Sequence, residues 1–313
     1  MTPEEPSVES IDRWAVGRAF GRASQSYDSA ARVQALARDE LISRLSHFNL
    51  KPKVVLDLGA GTGLASVALR THFPEANILS VDLALPMLQH ARSKPRQHES
   101  VWQRLRRAVG VKSPSSDWVA ADAANLPLAS GSVQLVFSNL MLQWCLPPDK
   151  VLAEVGRVLA PDGLFLFSTF GPTTLQELRA AWAMVDDQPH VNDFIDIHDL
   201  GSAMTRAELA EPVLDLDRIV VDYAATRDLL DELKDLGEGN SLRDRRRGLT
   251  GKNRLATMIS IYRDRYANRA TWEVIYGSAF ASRSNARSRS GADSSSSRNE
   301  VSIPIGAIKR KSP

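Results

Sequence analysis

The sequence predicts an α/β fold: a seven-stranded, mostly parallel sheet with helical insertions that form a lid. Three observations carry this. Between residues 54 and 169, short apolar runs of buried-strand length alternate with helical patterns, the signature of βαβ units in a parallel sheet. The first run ends in a glycine-rich turn, Gly59-Ala60-Gly61-Thr62-Gly63, that opens a helical pattern. Later runs end on acids or small polar residues, on the carboxyl edge where such sheets bind ligands.

The elements follow in order. The first fifty residues read as helices, with Val33, Leu36, Ala37, Leu41 and Leu45 at helical intervals. Pro52 breaks the chain, the run 54–58 is the first strand, and a helix follows to His72. Residues 77–82 form a second strand, after which Pro86 suits the first turn of a helix, where its missing amide hydrogen is not needed. Strands are predicted at 117–121, 132–138 and 164–169, with a helix over 151–159 and a turn at Pro161-Asp162-Gly163. Beyond Thr169 the rhythm changes: helices over 173–185 and 198–209, a strand over 213–223, helices over 227–236 and 254–266, and a last strand over 271–280. The stretch 281–298 is rich in Ser and Arg and poor in large apolar side chains, so disorder is expected there. The organisation expected is a helical lid over 1–50, a main domain over 51–280 with insertions at about 171–210 and 224–268, and a basic tail over 281–313.

Composition narrows the function classes. With 313 residues, 43% hydrophobic and 24% charged, the chain is an ordinary globule with a sizeable core. No apolar run approaches the roughly 18 to 20 residues of a membrane span. The N-terminus, MTPEEPSVES, is acidic and polar and does not read as a signal peptide. A single cysteine, Cys145, excludes an intramolecular disulfide and any multi-cysteine metal site; it reads as a small buried hydrophobe. A cytoplasmic location is expected. The net charge of +2 hides a tail from Ala281 with seven basic residues against two acidic ones. A near-neutral body with a short basic tail does not point to nucleic acid.

Asp57-x-Gly59-x-Gly61-x-Gly63 sits between a strand and a helix. Glycines there let the backbone turn tightly and approach a ligand. The dinucleotide spacing would be G-x-G-x-x-G; here it is G-x-G-x-G, and the acid two residues ahead of it suits a ligand carrying positive charge. Asp82, followed by Leu83, ends the second strand, where a carboxylate can accept both hydroxyls of a ribose. Asp122-Ala123 ends the third, where an acid can accept from an adenine amino group, and Ser138-Asn139 ends the fourth. Together these resemble the S-adenosylmethionine site of the Rossmann-like class I methyltransferases. A dinucleotide site is the alternative.

Several strings lie outside that half: Phe167-Ser-Thr-Phe-Gly-Pro-Thr-Thr-Leu-Gln-Glu-Leu-Arg179, then Pro189-His190-Val191-Asn192-Asp193-Phe194-Ile195-Asp196-Ile197-His198, Gly248-Leu249-Thr250-Gly251, and Thr271-Trp272-Glu273-Val274-Ile275-Tyr276-Gly277. With Ala19-Phe20 and Tyr27-Asp28, they resemble the malonyl-acyl-carrier-protein O-methyltransferases of biotin synthesis over residues 13–280. The resemblance implies methylation of the free carboxylate of a malonyl thioester, so that the neutral ester can enter fatty-acid elongation, with acyl carrier protein as partner. The family's last strand usually ends Gly-His-Ala-Trp, whereas this one reads Gly277-Ser278-Ala279-Phe280, and the basic stretch 93–116 is not typical. The other readings are a same-fold methyltransferase acting on another small carboxylate or on carbon, and a cofactor-binding protein without catalysis.

A carboxylic acid titrates near pH 4, so the acceptor is ionised without a general base. The groups required are a donor that orients the carboxylate and an apolar lid. Arg179 is the candidate donor, because its fork can hold both oxygens; paired with Glu177 or Asp186 it would be a plain helix arginine. Tyr27 is the lid candidate, and Gln143 and Trp144 are candidates for the acyl slot. His190, Asn192 and His198 are read as hydrogen-bonding groups that order the substrate side. No metal is expected, since two histidines would lack a third ligand. Arg243, Arg245, Arg246 and Arg247 are the candidate docking cluster for an acidic carrier protein, ahead of Arg104, Arg106 and Arg107.

Overall fold

A computed structural model describes residues 12–94, 115–239 and 251–282. The basic stretch with Arg104, Arg106 and Arg107, the cluster from Arg243 to Arg247 and the tail after Ser282 lie outside the described residues. Three helices open the chain: α1 (Arg13–Ala23), α2 (Tyr27–Ala30) and α3 (Arg32–Arg44). The alternating part runs β1 (Val54–Leu58), α4 (Leu64–His72), β2 (Asn77–Asp82), α5 (Leu85–Ser93), β3 (Ser116–Ala120), β4 (Val133–Asn139), α6 (Asp149–Val158) and β5 (Leu159–Phe170). Then come α7 (Gln176–Ala183), α8 (Ile197–Arg206), β6 (Ala210–Asp222), α9 (Thr226–Leu236), α10 (Lys252–Tyr266) and β7 (Arg269–Phe280).

The seven strands make one sheet in the order β3-β2-β1-β4-β5-β7-β6. The first five are mutually parallel, and β7 runs antiparallel to both β5 and β6. β1, β4 and β5 are buried on both faces, which is why they read as apolar runs without alternation. One face packs on α3, α4, α7, α9 and α10 through Leu41, Leu69, Trp182, Leu229 and Tyr262. The other packs on α6 and α8 through Leu152, Val155, Leu200 and Met204. Among the described residues no helix is long and apolar enough to cross a membrane.

Two buried acids tie the insertions to the sheet. Glu177 on α7 accepts from the Thr271 amide at 3.0 Å and from the Thr271 hydroxyl. Glu273 on β7 accepts from the Thr173 hydroxyl and, at 3.4 Å, from Arg218. Each buried carboxylate thus has the hydrogen bonds that its removal from water demands.

The predicted and observed elements differ at their edges. Leu36 is 55% exposed, whereas Val33, Ala37, Leu41 and Leu45 are buried. β5 starts at Leu159, opposite Val133, and a register shift then sets Leu164 opposite Leu135. The turn expected at 161–163 is thus a bulge inside one long strand. β6 and β7 extend past their apolar runs because backbone pairing continues from Ala210 to Asp222 whatever the side chains are.

In the β5–β7 ladder Gly277 faces Phe167, whose ring stacks on Phe165 at 4.5 Å. A Cβ at Gly277 would sit 2.2 Å from the Phe167 ring. Gly277→Ala is therefore expected to destabilise the fold by about 1–3 kcal/mol through overpacking, measured as a lower midpoint in urea unfolding with unchanged slope.

Candidate active site

The turn from β1 into α4 holds Gly59, Gly61 and Gly63 at φ of 79°, 52° and 83°, a region that side chains other than hydrogen rarely enter. The amides of Gly59 and Ala60 both donate to the Val81 carbonyl, at 2.8 and 3.0 Å, which folds the turn over the end of β2. Asp82 completes the join: Oδ2 accepts from the Gly61 amide at 2.8 Å and Oδ1 from the Ala84 amide at 2.7 Å. Burial raises the pKa of Asp82 and these amides oppose the rise. A Cβ at Gly59 would lie 2.3 Å from Met141, and one at Gly63 would lie 2.5 Å from Trp118. Gly61 meets nothing within 4 Å and faces open space.

That space is a cleft above the glycine turn. Its floor is the carboxyl edge of the sheet: Gly59, Gly61, Asp82, Leu83, Asp122, Ala123 and Asn139 all line it. α1 and α2 supply the roof with Arg13, Val16, Phe20 and Tyr27. Arg13 reaches down to both oxygens of Asp122, at 3.1 and 3.0 Å. Asn139 accepts from the Ser168 hydroxyl at 2.8 Å and donates to the Gln34 carbonyl at 3.1 Å. Burial, then the nearby acids Glu238, Asp82 and Asp28, push the Tyr27 phenol above its ordinary range. Cys145 is in the cleft wall and not in the core, with its sulfur 3.4 Å from that of Met141 and its thiol pushed up to about 12 by burial.

A second, larger cleft adjoins the first, and Trp144 stands in the wall of both. Its sides are apolar, with Phe170, Leu178, Trp182, Phe194 and Trp272. Trp144 is 7% exposed, Phe20 meets it edge-on at 5.3 Å, and its indole nitrogen has no hydrogen-bond partner. His190 and Asn192 line this second cleft. His190 stacks on Trp182 at 3.7 Å and its Nε2 lies 2.7 Å from Asp186 Oδ1. Glu238 also lines it, accepting from Gln34 at 2.9 Å; burial pushes its carboxyl up to about 7 against that bond.

Several predicted residues lie elsewhere. Arg179 lines neither cleft: its guanidinium donates to the carbonyls of Pro172 at 3.1 Å and Asn192 at 2.9 Å. Five donors on one side chain can close two loops as readily as hold a carboxylate, and the loop carbonyls are nearer. Gln143 is buried between the Leu140 carbonyl and Thr169, and His198 is an exposed residue in the first turn of α8. Asp57 lies beneath the cleft, 1% exposed, where the Ser66 hydroxyl donates to it and Ser80 follows at 2.7 Å. Gly63 is turned to Trp118 and not to the cleft. Sequence reasoning missed Arg13 and Glu238, which stand far from any motif, whereas Met141 closes the string 138–141 that ends the fourth strand beside the crevice.

Gly59→Ala brings both a forbidden φ and a clash with Met141, so it is expected to lower the unfolding free energy by about 2 kcal/mol or more, read from thermal unfolding. Burial, opposed by the Ser66 hydroxyl and reinforced by Asp82, pushes Asp57 from 3.8 up to about 7. An acid with a raised folded pKa favours the folded state most below its unfolded pKa and loses that advantage as pH rises through the folded value. Asp57→Asn is thus expected to gain stability relative to the parent chain as pH rises from about 4 to about 7, measured by urea unfolding across that range.

A family model described as a methyltransferase domain matches residues 56–167, the part that carries the glycine turn and the floor of the first cleft. A malonyl-[acyl-carrier protein] O-methyltransferase of Laribacter hongkongensis is 43% identical over 272 residues, 86% of this chain and 89% of the relative. One from Nitrosospira multiformis is 40% identical over 275 residues, with the same shares. Among solved structures, the YcgJ protein of Bacillus subtilis superposes with a TM-score of 0.53 at 16% identity, over 79% of this chain and 99% of that one, a likeness of fold. With relatives at this identity over 86% of its length, the chain belongs to the malonyl-[acyl-carrier protein] O-methyltransferase family.

Proposed function

We propose that this chain transfers a methyl group from S-adenosylmethionine to the free carboxylate of malonyl-acyl-carrier protein, in the cytoplasm. The observation that supports it most is the meeting of the two clefts at Trp144. One is floored by the carboxyl edge of the sheet and suits a nucleoside. The other has aromatic walls, Phe170, Trp182, Phe194 and Trp272, and polar groups including His190 and Asn192, and suits a thioester arm. The product is a methyl ester, the form in which a malonyl group can pass through fatty-acid elongation towards a pimeloyl chain in biotin synthesis.

The first cleft fits the cofactor on its own geometry. Gly61 presents bare backbone to open space, and Asp82, with one lone-pair direction of each oxygen taken by an amide, keeps acceptor capacity for two ribose hydroxyls. Asp122 and Ala123 border the adenine end, and Gly59, Leu83 and Asn139 border the rest. Asp57 acts from below, fixing the start of α4 through Ser66. Bound S-adenosylmethionine supplies a methyl group on a sulfonium centre. With the donor held by these residues, a carboxylate oxygen of the substrate would take that methyl group and the sulfonium would be left as a thioether. No proton moves, so no side chain acts as a base.

The chain's part is to orient the acceptor and keep it dry. Roofed by α1 and α2, with Phe20 and Tyr27 packed over it, the transfer point is shielded from water. Trp144 offers an indole N–H at the joint of the clefts, a neutral donor that orients a carboxylate without forming an ion pair that would blunt it. Tyr27 can donate its phenol proton from the roof. His190 and Asn192 border the acyl trench, and Arg179 holds the loop that carries Asn192 in place.

The direct test is transfer of labelled methyl from S-adenosylmethionine to malonyl-acyl-carrier protein, with succinyl- and acetyl-carrier protein alongside. Label is expected on the malonyl form and lost on mild alkaline hydrolysis; cofactor binding without label on that form overturns the substrate. Trp144→Phe, which keeps the ring and loses the N–H, is expected to lower kcat/KM by roughly 10- to 100-fold with an almost unchanged thermal midpoint. Asp82→Asn sets an amide donor against the Gly61 or Ala84 amide, and is expected to weaken S-adenosylmethionine binding by about tenfold or more, read by calorimetry.

A further inference from the structure

α1 has two faces. Inward, Val16, Gly17 and Phe20 line the first cleft, and Gly17 and Gly21 lie close against Leu83 and Pro86. Outward, Trp14, Arg18 and Arg22 stand four residues apart along one line of the helix. Trp14 is 73% exposed, and both arginines are exposed as well. Neither Arg18 nor Arg22 makes an ion pair among the described residues, in contrast to Arg13, which is committed to Asp122. The helix carries three arginines and no acid. A solvent-facing tryptophan flanked by two unpaired guanidinium groups has the composition of a binding hot spot and not of a solvated surface.

The position of this ridge says what it could receive. Arg22 lines the second cleft beside Lys234, so the ridge ends at the mouth of the trench that leads to Trp144. A protein seated on the ridge could pass an acyl arm along the trench to the joint of the two clefts. The charge requires that protein to be acidic, and unpaired cations at a cleft mouth raise the encounter rate with such a partner.

We infer that the outer face of α1, formed by Trp14, Arg18 and Arg22, is the docking surface for the acidic carrier protein that bears the acyl thioester. The inference rests on the proposed function for its partner. It assigns docking to the lid itself, so that the helix that roofs the methyl-donor cleft also carries the partner, and a seated partner holds the roof closed.

The test uses the full chain and the double variant Trp14→Ala/Arg18→Glu, neither residue lining a cleft. Two substrates are compared, malonyl-acyl-carrier protein and malonyl-pantetheine, which carries the same thioester without the protein. KM for the carrier substrate is expected to rise roughly tenfold or more, with kcat and both constants for malonyl-pantetheine within about twofold of the parent. Carrier-protein binding, measured without turnover by fluorescence anisotropy, is expected to weaken to the same extent, and added salt to narrow the gap. An unchanged KM for the carrier substrate, or equal losses on both substrates, overturns the inference. If the parent chain methylates neither thioester, the proposed function falls, and anisotropy still decides the surface: equal or absent carrier binding by parent and variant overturns it.

Discussion

The site depends on the contact between Gly59 and Met141. Both lie at the ends of neighbouring central strands, and the turn after β1 can cross the end of β4 only because nothing projects from Gly59. That crossing brings the Gly61 amide within reach of Asp82 and the Gly59 and Ala60 amides onto Val81. Three strand ends are thereby fixed to one another, by backbone amides on Val81, by the Asp82 carboxylate and by the Met141 side chain against Gly59, and the cleft has a rigid floor. The polar edge then inherits its geometry from the sheet, as in other open α/β sheets.

A second set of constraints holds the roof and the trench. Buried acids take part in this work, two of them at joins between elements distant in sequence and one between neighbours. Glu177 fastens α7 to β7, Glu273 fastens the loop before α7 to the same strand, and Asp57 fastens α4 to β1. A carboxylate taken out of water without partners would be costly, and the partners here are hydroxyls and amides that only the correct packing supplies. The acids therefore discriminate the native arrangement from a collapsed alternative more than they add to its stability.

Much of this was legible in the sequence, and the reasons differ by region. The parallel half was readable because buried strands and the glycine turn are local signals: β2 matched residue for residue, and β1 ended where Asp57-x-Gly59 said it would. The strand ends at Asp82, Asp122 and Asn139 were readable because their order along the chain fixes their place on the edge. The substrate side was harder. Arg179, Gln143 and His198 have the chemistry of contact residues, yet their hydrogen bonds are to carbonyls and caps whose positions depend on tertiary folding. Arg13 and Glu238 sit far from the motifs in sequence and become neighbours of the clefts only when α1 and the end of α9 are brought together. The resemblance to a family carried the acceptor; composition and periodicity alone stop at a nucleoside-binding α/β fold.

The seating of the N-terminal helices on α9 also sets an order of events during synthesis. The Ser26 hydroxyl donates to the Asp235 carbonyl across 209 residues of chain, Leu236 packs with Ala30 and Ala31, and Gly237 lies against the Ala19 carbonyl. A nascent chain therefore exposes its first helices, Phe20 and Tyr27 included, until α9 has left the ribosome. Through that interval the parallel strands β1 to β5, all of them N-terminal to α9, can pair while the roof stays open, so the floor of the cofactor cleft can precede its roof.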